Sequence, residues 1–545
     1  MSLGQDRDGL NDETLETDRA RIRDGSIDPD PEREDGTIDP DGDASSLNRR
    51  HVRGSVLLLL GRLFSLIFTV LTQIIIVRAL SKVEFGVFAY AFALTASGRV
   101  LLSLGQGRLL SRFMTTYEEK QDYGRMVGSM LLAVGTIIVT STLLVLSLFL
   151  FRGPLLGRTL GDPRAMGVLL ILVFLAPLEA LDQVFVSVFA VFSEPAAIFF
   201  RKYVVTPALR LVVVAIIAFT HGSVYSLALG YVLTSVLGNV IYLVLLRQVL
   251  RERGIAQQLR GTKIRVPYRE VLSFSFPTMT SELVFLATNM GSVVILGASW
   301  GARQVADFRS VAPAARLNQV VYQTFVTMFL PMTARLHARE DHDGVRETYW
   351  HTSHFLAIST FPVFAMTTVF SRTTTVTLFG ERYANAAPVM AALSIGFYVS
   401  VAMGFNIYVL QVYGRLRFLV LSNVGVALAC LGLIFVLTPT YGAIGAAIAN
   451  GSTLALQNVV NQVVLIRTMH AGGNRWRYLM PYLMIGAAMI LLVLVQLTVA
   501  PGFVVALVSC AVVCLMVLRL TRHTLALTTI FPELRKVPGL SLFVA

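Results

Sequence analysis

The stretch that decides the fold is residues 55–77, SVLLLLGRLFSLIFTVLTQIIIV, in which Arg62 is the only charged residue. About 20 apolar residues in a row are enough to cross a lipid bilayer as a helix. The polar residues of this stretch recur at steps of three and four, so they share one face of that helix; they are Arg62, Ser65, Thr69 and Gln73. The pattern predicts a transmembrane helix whose polar side borders a water-filled cavity.

Similar apolar stretches follow along the whole chain. The 545 residues are 55% hydrophobic and 14% charged, a composition that excludes a soluble globular domain. We predict an all-α polytopic membrane protein with about fourteen transmembrane helices. They lie near residues 55–77, 85–105, 126–151, 166–191, 203–220, 225–246, 271–298, 307–333, 349–370, 387–411, 418–438, 443–466, 479–499 and 503–518.

The basic residues of the connecting loops predict the orientation. With the N-terminus in the cytoplasm, the cytoplasmic segments after position 48 hold 28 Lys and Arg, and the outer loops hold 8. Because short cytoplasmic loops are enriched in Lys and Arg, we expect a plasma-membrane protein with both termini in the cytoplasm. The net charge of +13 is thereby explained without a nucleic-acid partner. Arginine outnumbers lysine 41 to 5, which is typical of a GC-rich, salt-adapted archaeal genome.

The order of the stretches predicts five regions. Residues 1–50 carry 15 acidic and 7 basic residues and are predicted to be a disordered cytoplasmic tail. A basic linker, 251–270, separates two six-helix lobes, 51–250 and 271–470, and residues 471–545 add two helices and a second tail. A shift of 220 residues places Phe88 on Phe308 and Arg62 on Glu282, so the two lobes are faintly similar.

Five arginines lie inside these apolar stretches, against three carboxylates at similar depth. The arginines are Arg62, Arg99, Arg210, Arg309 and Arg316, and the carboxylates are Glu179, Asp182 and Glu282. A charge near the membrane centre costs from ~3 to more than 10 kcal/mol, so we expect these side chains to face a cavity or one another. The surplus of arginine predicts an anionic cargo, because guanidinium groups bind phosphate through paired donors. Pro313, between the last two arginines, predicts a kink there.

Two interpretations of these charges stay open at this point. The arginines, with Gln323 on the helix of Arg309 and Arg316 and Asn289 on that of Glu282, either bind substrate or lock helices together by pairing with carboxylates, Arg210 most of all. The three carboxylates either couple transport to a cation or serve as such partners. A polar stripe at 450, 453, 457 and 461 either faces the cargo or joins helices.

The sequence predicts neither a cofactor nor a metal site. Cys430, Cys510 and Cys514 all fall in apolar helices and indicate no disulfide framework. The histidines between 337 and 354 border a loop, where such residues are usually solvated. No catalytic motif is recognised, and the short outer loops argue against a membrane glycosyltransferase or ligase.

Four segments resemble a known family. They are RALSKVEFGVFAY at 78–90, LFGERYANAAP at 378–388, YGRLR at 413–417 and PTYGAIGAAIA at 439–449. In this order they resemble the O-antigen and polysaccharide flippases of the multidrug/oligosaccharidyl-lipid/polysaccharide exporter superfamily, over about residues 51–470. The resemblance implies two six-helix lobes forming a V around a central cavity. Relatives line that cavity with arginines on the first, second and eighth helices, where Arg62, Arg99, and Arg309 with Arg316 stand here.

The resemblance also implies the cargo. We expect a monomeric flippase that moves a polyprenyl (dolichyl or undecaprenyl) phosphate- or diphosphate-linked oligosaccharide to the outer leaflet by alternating access, for surface polysaccharide or glycoprotein synthesis. Its partners would be this lipid-linked sugar and the glycosyltransferases or polymerase of the same pathway. The alternatives are a cation-coupled drug exporter of the same superfamily, the membrane enzyme considered above, and a purely structural scaffold.

Overall fold

The computed structural model describes residue 61 and residues 64–103, 106–150, 162–192, 194–254, 264–469 and 475–525. Within these ranges the regular structure is helical throughout and contains no strand. The predicted all-α fold is therefore confirmed. The predicted acidic tail and residues 255–263 of the basic linker lie outside the described residues.

The first part of the fold ends before the linker. Its helices are α1 (Phe64–Ala79), α2 (Lys82–Ser103), α3 (Gln106–Glu119), α4 (Tyr123–Leu150), α5 (Arg164–Leu172), α6 (Leu175–Val191), α7 (Thr206–Thr220) and α8 (Val224–Glu252). A short helical turn, Pro195–Ile198, and a π-helix, Phe199–Val205, lead directly into α7. Ser223 caps α8, because its hydroxyl accepts a hydrogen bond of 3.3 Å from the Ser226 amide.

The second part follows the linker and is also helical. Its helices are α9 (Tyr268–Ala315), α10 (Asn318–Ala338), α11 (His342–Thr368), α12 (Ser371–Phe379), α13 (Ala387–Ala402), α14 (Asn406–Val412), α15 (Leu416–Thr468), α16 (Arg475–Val499) and α17 (Phe503–Leu525). A 3₁₀ helix, Glu381–Ala386, joins α12 to α13.

Two of these helices are each broken at a glycine. Helix α9 has 48 residues and α15 has 53, which at 1.5 Å per residue would make each about 70–80 Å long. The hydrocarbon core of a bilayer is only about 30 Å thick. Gly301 (φ 74°) and Gly442 (φ 61°) interrupt them in conformations that glycine adopts without strain. Both breaks fall between two of the predicted membrane-crossing stretches.

The chain is a multi-pass membrane protein by the length and hydropathy of its helices. Among the described residues, nine helices are long and apolar enough to cross a membrane, or ten if the bent pair α11 and α12 forms one span. Helix α15 is counted once in that total, although Gly442 divides it into two. The number fourteen, the division into lobes at 250 and 271, and the orientation of the termini stay predictions.

Three segments predicted as loops are helical. Residues 108–125 contain most of α3, 192–202 contain the start of the run into α7, and 371–386 contain α12 and the 3₁₀ helix. Polar residues interrupt each of these segments, so none of them contains an apolar stretch long enough to be predicted as a membrane helix. In α3, for example, the apolar Leu110 and Met114 are buried against the neighbouring helices while the opposite face is polar.

Helices α2 and α9 pack closely together and join the two halves of the chain. A Cβ at Gly86 of α2 would overlap the backbone of Ala302, and one at Gly297 of α9 would press against the ring of Tyr90. The largest cluster of buried apolar side chains is centred here and includes Val87 of α2, Val305 of α9 and Ala446 of α15. Small residues allow this approach, as is usual where membrane helices meet.

Candidate substrate cavity

A cavity of about 500 Å³ lies beside the contact of α2 and α9. Its lining comes from α1, α2, α6, the run from Arg201 to Arg210, α8 and the end of α9. That volume lies within the range of pockets that bind small molecules, roughly 300–1,000 Å³.

The structure brings most of the described candidate residues to this one cavity. Arg99, Arg210, Arg309, Arg316, Glu179 and Asp182 all line it. The polar stripe of the first helix lines it too, through Ser65, Thr69 and Gln73. Arg62 and the side chains of Glu282 and Asn289 lie outside the part of the chain that the structure describes. Gln323 is exposed on α10, a helix that contributes no residue to the lining.

Two further basic residues of the cavity were not predicted from the sequence. Arg201 and Lys202 line it from the π-helix, and both fall in the segment 192–202 that was predicted as a loop. A signal was present, because Lys202, Thr206 and Arg210 follow at steps of four, as on one face of a helix. With them, the described lining holds six basic and two acidic side chains, a formal surplus of four positive charges.

Glu179 lies between two arginines of the cavity wall. Its Oε1 is 3.2 Å from Arg210 Nη2, and its Oε2 is 3.9 Å from Arg99 Nε. The three side chains come from α6, α7 and α2, so one carboxylate connects three helices. Arg210 therefore pairs with a carboxylate in this structure, and its part in substrate binding stays a prediction.

Asp182 pairs with Arg201 in a more enclosed setting. The Arg201 side chain is 4% exposed, and its Nε donates a hydrogen bond of 3.1 Å to Gly238 O. Its guanidinium also lies 4.3 Å from the ring centroid of Tyr242. Three kinds of contact thus hold Arg201 in one place, as expected for a buried cation that must be fully compensated.

The α9 side of the cavity has a different character. Arg309 forms no ion pair with any side chain that the structure describes; its backbone oxygen accepts a bond of 3.4 Å from Gln73 Nε2. Arg316 lies where α9 ends, and its guanidinium is 5.3 Å from the ring centroid of Phe397. The helix continues through Pro313 and ends at Ala315. The helix is interrupted at residues 316 and 317, after the proline at which the kink was predicted.

Aromatic side chains cover another part of the wall. Phe88 and Phe92 of α2 meet the ring of Tyr231 edge-on, at centroid distances of 5.3 and 5.9 Å. The Arg210 guanidinium lies 5.1 Å from the same Tyr231 ring. The cavity wall therefore places aromatic rings next to cationic groups.

A polar seam joins the two halves of the chain beside the cavity. Arg78 donates to the carbonyls of Thr377 and Leu378 at the end of α12, and Arg382 donates to those of Val77 and Arg78 at the end of α1. Lys82 Nζ lies 2.6 Å from Asp307 Oδ1 in a largely buried ion pair. Each half thus caps the C-terminal end of a helix of the other half.

The polar stripe of α15 joins helices. Asn450 Nδ2 lies 2.6 Å from Ser292 Oγ, and Gln457 Nε2 lies 2.6 Å from Asn423 Oδ1. None of the four stripe residues is part of the cavity lining. Of the two interpretations left open, helix association is the one this structure supports.

One protein family matches the sequence. Residues 51–337 match the model of a family described as polysaccharide biosynthesis protein. No curated protein sequence matches the chain.

Solved structures of transporters share the fold. The Lipid II flippase MurJ in an inward closed conformation aligns with a TM-score of 0.64 at 13% identity, covering 87% of this chain and 99% of that one. An inward-facing multidrug resistance MATE family transporter of the MOP superfamily aligns with a TM-score of 0.59 at 14% identity, covering 76% and 100%. A MOP superfamily transporter from Pyrococcus furiosus, described by the reverse polarity of its binding pocket, aligns at 0.50 and 14%, covering 77% and 96%.

Proposed function

Because this chain belongs to the polysaccharide biosynthesis protein family, we propose that it is a flippase for a lipid-linked oligosaccharide. Its cargo would be a polyprenyl phosphate or diphosphate that carries the sugar, moved from the cytoplasmic to the outer leaflet. The headgroup would occupy the cavity while the polyprenyl chain stays in the lipid. The enzymes that build and use the oligosaccharide are the proposed partners.

The positive charge of the cavity is the observation that carries this proposal. Six basic side chains face two carboxylates in the described lining. A cavity that is already basic when empty favours an anionic ligand, and arginine binds phosphate oxygens through two parallel hydrogen bonds. Hydroxyl and amide groups on α1, at Ser65, Thr69 and Gln73, would serve the sugar hydroxyls.

The alternative of a cation-coupled drug exporter agrees with the fold but less well with the charge. A pocket for cationic drugs is expected to be acidic and aromatic. The described lining is aromatic but basic, since Glu179 and Asp182 are each already within reach of an arginine. The transporter of Pyrococcus furiosus provides a parallel, because reverse polarity of its pocket is taken to suggest a different function.

We further propose alternating access as the mechanism, with both termini in the cytoplasm and the polar seam on the outer side. The seam would have to separate for the headgroup to leave, since Lys82 and Asp307 sit beside the cavity wall at Phe85. Within this proposal, transport would be driven by coupling to a cation through Glu179, Asp182 or Glu282. The similarity to transporters favours a protein that moves its substrate without transforming it.

A flipping assay on the full-length protein tests the function. The protein would be reconstituted in liposomes that contain a fluorescent polyprenyl diphosphate oligosaccharide, and exposure of the sugar to an added lectin would be followed with time. We expect wild type to speed up exposure and Arg309→Ala to slow it. Arg372→Ala, whose side chain is 77% exposed away from the cavity, is the matched control. Exposure at the rate of protein-free liposomes, with uptake of a cationic dye instead, would favour the drug exporter.

A further inference from the structure

The two carboxylates of the cavity are held in different ways. The difference bears on which of them an incoming anion can displace. Glu179 is shared by Arg99 and Arg210, whose side chains are 43% and 24% exposed. Asp182 is held by Arg201, which is 4% exposed and also bound by a carbonyl and a ring. The two carboxylates are equally exposed, at 19% and 20%, so the difference lies in their arginines. Arg99 and Arg210 are open to a new anion, whereas Arg201 is a buried charge already held by its other contacts.

One hydrogen-bond donor of Arg210 has no acceptor among the described residues. Its Nη2 contacts Glu179, but its buried Nε donates to no acceptor that the structure describes. A buried donor without an acceptor costs free energy, and an anion with more oxygen atoms than a carboxylate could satisfy it. The contact of Glu179 with Arg99, at 3.9 Å, is also longer than a hydrogen bond. The arginines are therefore only partly satisfied by their resident carboxylate.

We propose that Glu179 is an internal counter-anion that the phosphate of the cargo displaces. In the empty protein the carboxylate partly neutralises Arg99 and Arg210. In the loaded protein a phosphate or diphosphate takes both guanidinium groups and Glu179 moves aside. When the cargo leaves, Glu179 returns, which speeds release because the arginines are not left without an anion.

This inference rests on the proposed function for the identity of its ligand, but the exchange itself can be measured with a simple anion. Removing the competitor should tighten anion binding and slow turnover. A charged hydrogen bond contributes ~1.5–3 kcal/mol, and about 1.4 kcal/mol is a factor of ten. We therefore expect Glu179→Gln to bind inorganic pyrophosphate roughly 10- to 100-fold more tightly than wild type.

The experiment is calorimetric titration of pyrophosphate into the purified full-length protein, with thermal unfolding of each variant as a check on folding. Asp182→Asn is the matched control, and we expect it to lower the unfolding temperature without tighter binding. Glu179→Asp keeps the negative charge, so its affinity should stay within a few-fold of wild type even if Glu179→Gln fails to fold. In the liposome assay, Glu179→Gln should flip cargo more slowly than wild type.

Three results would overturn the inference. They are a folded Glu179→Gln protein that binds pyrophosphate no more tightly, a gain of the same size in Asp182→Asn, and no pyrophosphate binding in any variant. Failure of the proposed function gives a different pattern. In that case Glu179→Gln still gains affinity for pyrophosphate, while wild type does not flip the lipid-linked oligosaccharide.

Discussion

The two sides of the cavity hold their arginines in different ways. On the side formed by α2, α6 and α7, each arginine lies near a carboxylate, through Glu179 or Asp182. On the α9 side, Arg309 has no such partner among the described side chains, although it lines the same cavity. The protein depends on a buried pair such as that of Arg201 with Asp182, because removing one partner is strongly destabilising, whereas an arginine without a carboxylate is a cost to the empty protein. The comparison teaches that stability and ligand affinity can be separated by mutation.

The largest expected effect is on the paired side, and it concerns stability. Replacing Arg201 by Ala leaves Asp182 without its partner and removes the buried guanidinium with its contact to Gly238 O. Breaking a buried ion pair in this way costs ~3–5 kcal/mol. We expect a clear loss of folded yield and a lower unfolding temperature in detergent. Unfolding at the wild-type temperature would show that Arg201 is not the structural member of the comparison.

On the other side, the expected effect is on transport. Arg309→Ala and Arg316→Ala should weaken cargo binding by ~2–5 kcal/mol, the usual cost of truncating one partner of a charged contact. The change in stability should be smaller than for Arg201→Ala. Lysine at either position should also impair flipping, because it keeps the charge but loses the paired donors. Folded variants that flip at wild-type rates would show that these arginines are structural after all.

A smaller effect is expected at the polar seam. Lys82→Ala leaves Asp307 buried without its partner, and Asp307→Asn leaves Lys82 without its counter-ion. A double-mutant cycle on thermal stability should give a coupling energy of ~0.5–3 kcal/mol for residues in direct contact. Arg372→Ala and Glu381→Ala, an exposed pair at 3.8 Å, provide the matched cycle, with ~0–1 kcal/mol expected. Equal coupling in both cycles would contradict the special role of the seam.

The smallest effect is expected at the N-terminus. Deleting residues 2–45 should leave the unfolding temperature close to that of wild type, because this acidic segment has little apolar surface to bury. Thermal unfolding in detergent and flipping by the truncated protein measure the outcome. A large loss of stability would mean that the segment packs against the helices.

The all-helical fold and several charged residues of the cavity wall could be predicted from the sequence, because both depend on strong local signals. Apolar stretches about 20 residues long locate membrane helices, and a charge within one is costly enough to indicate a cavity. Arg99, Arg210 and Arg309 were found in this way. The pairing of Glu179 with two arginines was not predicted, because it depends on how α2, α6 and α7 meet in space.

The predictions that differed from the structure did so where helices depart from a simple apolar pattern. Helix α3 is amphipathic, so its mean hydropathy hides it from a search for long apolar stretches. Arg201 and Lys202 were assigned to a loop because two adjacent cations end an apolar window. The break after Ala315 does not coincide with Pro313, since membrane helices accommodate proline when neighbouring groups satisfy the backbone.

The π-helix at Phe199–Val205 also has a genetic consequence. In a regular α-helix, Arg201 and Arg210 would be separated by about two and a half turns and would point in opposite directions, yet both line the cavity here. Such wide turns contain one more residue than the α-helical path. Loss of a single codon in this segment would therefore turn Arg201 and Lys202 relative to Arg210 while leaving the helix continuous. A one-residue deletion would thus change which charged side chains face the cavity, although no charged residue is substituted.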